Sequence, residues 1–80
     1  MAYCWKYKYG EHVIVVKNDL KTELYIDGEM QDSRGGLHLK VELQGHLNTG
    51  ETVKASLFGT LTADCMLHID NVLQTPVKVE

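Results

Sequence analysis

Apolar side chains recur at every second residue along much of this chain, and this spacing constrains the fold more than any other feature. In the clearest run, every second residue from Leu37 to Leu43 is apolar and the residues between are polar. Such a period of two is typical of an extended strand with one apolar face. Asp27-Gly28, a pair that suits a type I′ hairpin turn, lies between two strand-like segments. We therefore expect an all-β protein, a small antiparallel β-sandwich or flattened barrel of about 6–8 short strands.

The chain also contains a repeat, which predicts two related halves. Residues 24–31 return as residues 67–74, with identity at these paired positions: Leu24/Leu67, Ile26/Ile69, Asp27/Asp70 and Gln31/Gln74. A shorter echo, Gly10-Glu11-His12-Val13 and Gly50-Glu51-Thr52-Val53, precedes the two copies in the same order. We interpret residues 1–80 as a single β domain. Its first half covers about residues 3–32 and its second about residues 37–79, and the Gly-rich loop 33–36 joins them.

One segment, residues 62–73, also fits a helix. Thr62 is a suitable N-cap, and Thr75-Pro76 would end the helix. A strand is favoured because the alternation from Leu61 to Ile69 is unbroken and because the repeat places a hairpin here. Strand and helix stay as alternatives for this segment.

Charge and composition exclude several classes of protein. The net charge is −3, and the eight Lys and Arg residues are scattered along the sequence, so we expect no binding to duplex nucleic acid. No segment resembles a secretion signal or a membrane span, so we expect a cytoplasmic protein without membrane contact. In that compartment Cys4 and Cys65 would remain free thiols.

The residues that suit catalysis or metal binding lack the necessary neighbours. Asp27 and Asp70 occupy matching positions, but Asp before Gly or Asn is typical of a tight turn, and the residues after them do not suit a carboxylate dyad. No short ligand spacing links the histidines, which are His12, His38, His46 and His68. We expect no enzymatic activity, no cofactor and no metal. A site assembled from separate strands stays open as an alternative.

Two features predict binding surfaces. One face of the first strand carries four aromatic residues, which are Tyr3, Trp5, Tyr7 and Tyr9. This stripe fits a core, a partner interface or a platform for stacking a ligand. In the Gly-rich loop, Arg34 is the first choice for contacting an anionic ligand.

A third surface follows from a break in the alternation. Four consecutive residues are apolar, Val13, Ile14, Val15 and Val16, so both faces of their strand need cover. A second subunit or a central place in a curled barrel would provide it. We therefore expect a small non-enzymatic binding or interaction module that acts as a homodimer or binds another protein. The alternative is a small-ligand binding protein, for a nucleotide or sugar, that uses the aromatic strand face and Arg34.

Overall fold

The computed structural model describes residues 3–35, 40–59 and 64–80 of the chain. In these ranges the chain forms β-strands and no helix. The strands are β1 Tyr3–Tyr9, β2 His12–Asn18, β3 Lys21–Ile26, β4 Glu29–Gly35, β5 Lys40–His46, β6 Thr52–Phe58, β7 Asp64–Ile69, β8 Val72–Gln74 and β9 Lys78–Val79. The predicted all-β class is confirmed. The helix alternative is wrong for residues 64–73, which form β7, a turn and β8. Residues 61–63, with which this segment and its alternation begin, lie outside the described residues. So do residues 37–39 of the first alternating run.

The strands form two antiparallel sheets that pack face to face. One sheet has the order β4-β3-β2-β1-β9 and the other the order β5-β6-β7-β8. Each contains a meander of four consecutive strands, and β9 returns from the end of the chain to pair with β1 at Trp5 and Lys6. The apolar faces of both sheets contribute to one core, whose buried members are Trp5, Tyr7, Ile14, Val16, Leu24, Ile26, Leu43, Leu47, Val53, Ala55, Leu57, Leu67 and Ile69. This is the arrangement expected when each sheet has a single apolar face.

The longer repeat occupies the same place in each sheet, as the β3–β4 and β7–β8 hairpins. Both turns have positive φ at their two central residues: 51° at Asp27 and 83° at Gly28, then 49° at Asp70 and 67° at Asn71. These are the backbone angles of a type I′ turn, which matches the twist of the flanking strands. The sequence-based hairpins are therefore confirmed in both halves.

Each turn aspartate also fastens its hairpin to the preceding strand. The N–H of Val13 donates to Asp27 Oδ1 at 2.9 Å, and the N–H of Thr52 donates to Asp70 Oδ1 at 3.0 Å. The backbone N–H groups of the two aspartates donate to the carbonyls of the same two residues, at 2.8 Å and 2.9 Å. Asp27 and Asp70 therefore have the turn role that their sequence context indicates.

The shorter echo aligns Val13 with Val53 in the sequence, but these two residues are not at equivalent positions in the two sheets. Ile26 pairs with Ile14 in the first sheet, and Ile69 pairs with Val53 in the second, so Ile14 and Val53 are the equivalent positions. The offset arises because β1 and β2 are joined by the two residues 10–11, whereas residues 47–51 join β5 and β6. Only the longer repeat is a structural one.

The predicted Gly-rich loop 33–36 is wrong over residues 33–35, which belong to β4; Gly36 lies outside the described residues. The strand keeps its pairing with β3 up to Lys21 and Gly35, but the register shifts between Leu24 and Tyr25. The shift leaves Gln31 as an extra residue, which is a β-bulge. A bulge reverses the inside–outside alternation of a strand. Met30 is the one large apolar residue of β4, so the strand shows no apolar alternation in the sequence.

The bulge connects the two sheets at one corner. Asp32, beside the bulge, accepts the N–H of Gln44 on β5 with Oδ2 at 3.0 Å. Next to this bond, a Cβ placed on Gly45 would lie only 2.8 Å from Cβ of Gln31. The lack of a side chain at Gly45 therefore allows β5 to approach β4 closely at this corner.

Candidate functional site

The aromatic stripe of β1 points into the core. Trp5 is 5% exposed and Tyr7 is 0% exposed, while Tyr3 and Tyr9 are half-buried against the same core. The Tyr3 ring stacks on the Trp5 ring with centroids 5.6 Å apart. The stripe therefore has the core role that was one of its three interpretations. A ligand or partner can reach it only at the accessible edges of Tyr3 and Tyr9.

One core contact joins the sheets through polar atoms. The Tyr7 hydroxyl donates to Cys65 Sγ at 3.5 Å. Burial raises the pKa of the Cys65 thiol to about 11 and holds the pKa of the Tyr7 phenol far above its usual range. Both groups therefore stay protonated, and the buried hydroxyl has a partner. Cys4 and Cys65 are both free cysteines, as the sequence predicted.

The four consecutive apolar residues of β2 divide between the two faces of the sheet. Ile14 and Val16 are completely buried in the core, and Val13 and Val15 are half-buried on the outer face. The predicted dimer interface is therefore restricted to Val13 and Val15. Their use by a partner stays a prediction.

The outer face of the five-stranded sheet has an apolar centre. One row of directly paired residues crosses all five strands, and it consists of Lys78, Lys6, Val15, Tyr25 and Met30. Val13 lies two residues before Val15 on the same face, and Met30 is 52% exposed. We call Val13, Val15, Tyr25 and Met30 the apolar patch. The Tyr25 hydroxyl donates to Glu23 Oε2 at 3.2 Å, which fixes the ring on the surface.

Lysines flank this patch on its own face, along β1 and β9 and at the end of β2. Lys6 is directly opposite Val15, and Lys8 is directly opposite Val13. Lys17 Nζ lies 5.2 Å from the centroid of the Tyr25 ring, a cation–π contact. We call Lys6, Lys8, Lys17 and Lys78 the basic rim. The scatter of these lysines along the sequence is misleading, because strand alternation and the return of β9 bring them to one face.

A groove of about 690 Å³ lies over the outer face of the four-stranded sheet, with β4 along one side. Three of its lining residues, Gln44, Lys54 and His68, are direct neighbours across β5, β6 and β7. Arg34 lines the groove from β4. The sequence singled out Arg34 as an anion contact but placed it in a loop, and nothing in the sequence indicated that Lys54 and His68 would lie in the same groove.

His12 and Asp27 form a hydrogen-bonded imidazole–carboxylate pair. The His12 Nδ1–H donates to Asp27 Oδ2 at 2.7 Å, and this bond, followed by that from the Val13 N–H, lowers the pKa of Asp27. Among residues 3–35, 40–59 and 64–80, no hydroxyl or thiol is hydrogen-bonded to His12. The pair therefore serves to hold the β3–β4 turn against β2. His38 lies outside the described residues, and the described part of the chain contains no group of three potential metal ligands.

Comparison with known proteins gives no match: no family model, no curated protein and no solved structure matches this chain. Within the described ranges, no helix has the length and apolar character needed to cross a membrane. Function therefore has to be inferred from the chain's own surfaces.

Proposed function

We propose that this protein is a small non-enzymatic binding module that docks an acidic partner protein on the apolar patch and its basic rim. One observation carries the proposal, namely the row Lys78, Lys6, Val15, Tyr25 and Met30, which extends in register across all five strands. The row places Lys6, and Lys78 with its ion-pair partner Glu80, beside three apolar side chains on one continuous surface. A partner that matches it presents apolar side chains flanked by Asp and Glu.

The chemistry of the patch favours a protein over a nucleic acid. Protein interfaces combine an apolar centre rich in Tyr and Met with a polar rim, and the patch has this arrangement. A surface that binds single-stranded nucleic acid stacks successive bases on several aromatic rings. On the described outer face of this sheet, Tyr25 is the one aromatic residue, and Lys17 covers part of its ring.

Charge argues against a second copy of the chain as the occupant. A two-fold dimer through the patch would bring the basic rims of two protomers together. The described acids on this face, Glu23 and Glu80, are engaged within the chain: Glu23 accepts from Tyr25, and Glu80 pairs with Lys78 at 2.6 Å. The partner in our proposal is therefore a different protein. The sheet face measures roughly 24 Å by 20 Å from strand spacing and rise, which fits a small, transient interface.

The proposal includes a cytoplasmic location. Its support is the pair of free cysteines, Cys4 and Cys65, a state that a reducing compartment maintains.

A peptide titration followed by NMR tests this function. The probe is a short synthetic peptide of alternating Glu and Leu, and its control has Lys in place of Glu. We expect the acidic peptide to shift amide signals of β1, β2 and β3, with binding that weakens as salt is raised. Lys6→Glu should weaken binding at least tenfold because it reverses a charge at the edge of the patch, whereas Lys54→Glu on the other sheet should have little effect.

Several results would contradict the proposal. Equal binding of the Lys peptide, or signals that shift only on the four-stranded sheet, would show that the basic rim does not select the partner. Preferential binding of single-stranded RNA or of anionic vesicles over the acidic peptide would assign the face to another class of partner. Light scattering that shows a stable dimer, abolished by Val15→Lys, would assign it to self-association.

A further inference from the structure

The second surface of interest is the groove beside β4, on the other sheet from the apolar patch. We propose that this groove binds a small phosphorylated molecule, and that Arg34, Lys54 and His68 donate the hydrogen bonds to its phosphate. The inference is independent of the partner-docking function, because the groove lies over β5, β6 and β7.

The carboxylates that line the groove are already engaged. Asp32 accepts the N–H of Ser33 with Oδ1 at 2.8 Å and the N–H of Gln44 with Oδ2 at 3.0 Å. Glu42 Oε1 lies 3.4 Å from Lys40 Nζ. Both acids therefore have protein partners, and neither forms an ion pair with the cationic side chains across the groove.

The donor side chains of the groove have no such partners. Within residues 3–35, 40–59 and 64–80, the side chains of Arg34, Lys54 and His68 make no hydrogen bond or ion pair with another residue. Lys54 and His68 are directly opposite each other on β6 and β7, so their Cβ atoms are about 5 Å apart. A guanidinium fork, an ammonium group and an imidazole are the donors that bind phosphate oxygens in proteins. Their convergence on one groove gives it a phosphate-binding character.

The rest of the lining indicates the kind of molecule that carries the phosphate. Gln44, Ser56 and Asn71 contribute amide and hydroxyl groups, and Leu43 is the one aliphatic residue among the described lining residues. These groups suit a body with several hydroxyls, such as a pentose, better than an apolar one. The volume of about 690 Å³ lies within the range of small-ligand sites. The ligand class that fits the groove is therefore a sugar phosphate.

The test is an NMR titration of the full chain with ribose 5-phosphate, with ribose and inorganic phosphate as separate arms. We expect ribose 5-phosphate to shift the amide signals of Gln44, Lys54 and His68. Inorganic phosphate should shift the same signals with weaker affinity, and ribose alone should shift none of them at equal concentration. Arg34→Ala and Lys54→Ala should each weaken binding roughly tenfold or more, the loss expected for one charge-assisted hydrogen bond.

A matched control separates recognition from general charge attraction. Lys8→Ala removes the same charge from the opposite sheet and should leave the affinity unchanged. Arg34→Lys, which keeps the charge but loses the two-pronged donor, should bind with intermediate affinity. Equal weakening by Lys8→Ala and Lys54→Ala would overturn the proposal. So would shifted signals confined to the five-stranded sheet, or equal affinity for inorganic phosphate and ribose 5-phosphate.

Discussion

The corner where β4 meets β5 gives the most direct test of the fold, through the substitution Gly45→Ala. A Cβ on Gly45 would lie 2.8 Å from Cβ and 3.0 Å from Cγ of Gln31, well inside ordinary contact distance. Cβ of Gln31 is fixed to the backbone of the bulge, so rotation of the side chain does not relieve the clash. The strands have to separate by several tenths of an ångström, at the point where Asp32 bonds to Gln44.

The expected loss follows from the cost of inserting a methyl group into a packed contact. Overpacking of this kind costs about 1–3 kcal/mol. A domain of 80 residues has a free energy of unfolding of roughly 4–12 kcal/mol, so the variant should lose a large part of its stability. Each kcal/mol corresponds to about 4–8 °C in Tm for a domain of this size.

Thermal and urea unfolding, followed by circular dichroism, measure this loss. Gly35→Ala is the matched control, because its Cβ would meet nothing within 4 Å and its φ is not positive; it should be neutral within about 0.5 kcal/mol. Gln31→Gly in the Gly45→Ala background removes the clashing Cβ and should recover part of the loss. A Gly45→Ala variant as stable as Gly35→Ala would refute the close packing of β4 on β5.

Four further outcomes test the core and the turns. Trp5→Ala should cost about 3–5 kcal/mol because the side chain is buried between the sheets. Leu20→Ala, at a side chain that is 88% exposed, should cost under about 1 kcal/mol, and equal losses in urea unfolding would contradict the core role of Trp5. Asp27→Ala and Asp70→Ala should each cost about 1–3 kcal/mol, because each loses the hydrogen bond to the preceding strand and places Ala at a positive φ. Asp27→Asn should cost less than Asp27→Ala, because Asn tolerates that φ and still accepts the bond. The Cys65 pKa of about 11 should make its alkylation by iodoacetamide near pH 8 at least about a hundredfold slower than in urea, measured by mass spectrometry. Folding raises the pKa of the Cys65 thiol, so the folded state holds this proton up to a higher pH than the unfolded state does. The stability that the protonated thiol contributes is therefore present below about pH 9 and is lost as pH rises toward 11. A Tm that stays constant between these two pH values would argue against the burial of the thiol.

The features that were predictable from the sequence are local ones. Alternation identified β1, β6 and β7 because each keeps one apolar face without interruption. Asp27-Gly28 identified its hairpin because positive φ at two consecutive residues restricts the residue types that fit. Both signals are present within a few neighbouring residues, and no knowledge of strand order is needed to read them.

The binding surfaces were not predictable because they depend on contacts between distant segments. The pairing of Lys78 with Lys6 requires β9 to return beside β1. The position of Arg34 over the second sheet requires the bulge at Gln31, whose extra residue has no sequence signature. The charge pattern of a face depends on strand order, and strand order is a global property of the fold.

The internal repeat shows how one scaffold supports two different surfaces. Leu24 and Ile26 in β3 correspond to Leu67 and Ile69 in β7, and all four are core residues. The residue between them faces outward, and it is Tyr25 in one sheet and His68 in the other. Tyr25 pairs with Val15, and His68 pairs with Lys54, at the equivalent place on the neighbouring strand. The cross-strand pair at this position is thus Tyr25 and Val15, at the centre of the apolar patch, in the first sheet. In the second sheet it is His68 and Lys54, two donors of the groove. Inward positions must retain their apolar character to keep the core, whereas outward positions are free of that requirement, so differences in binding chemistry between the halves arise on their outer faces.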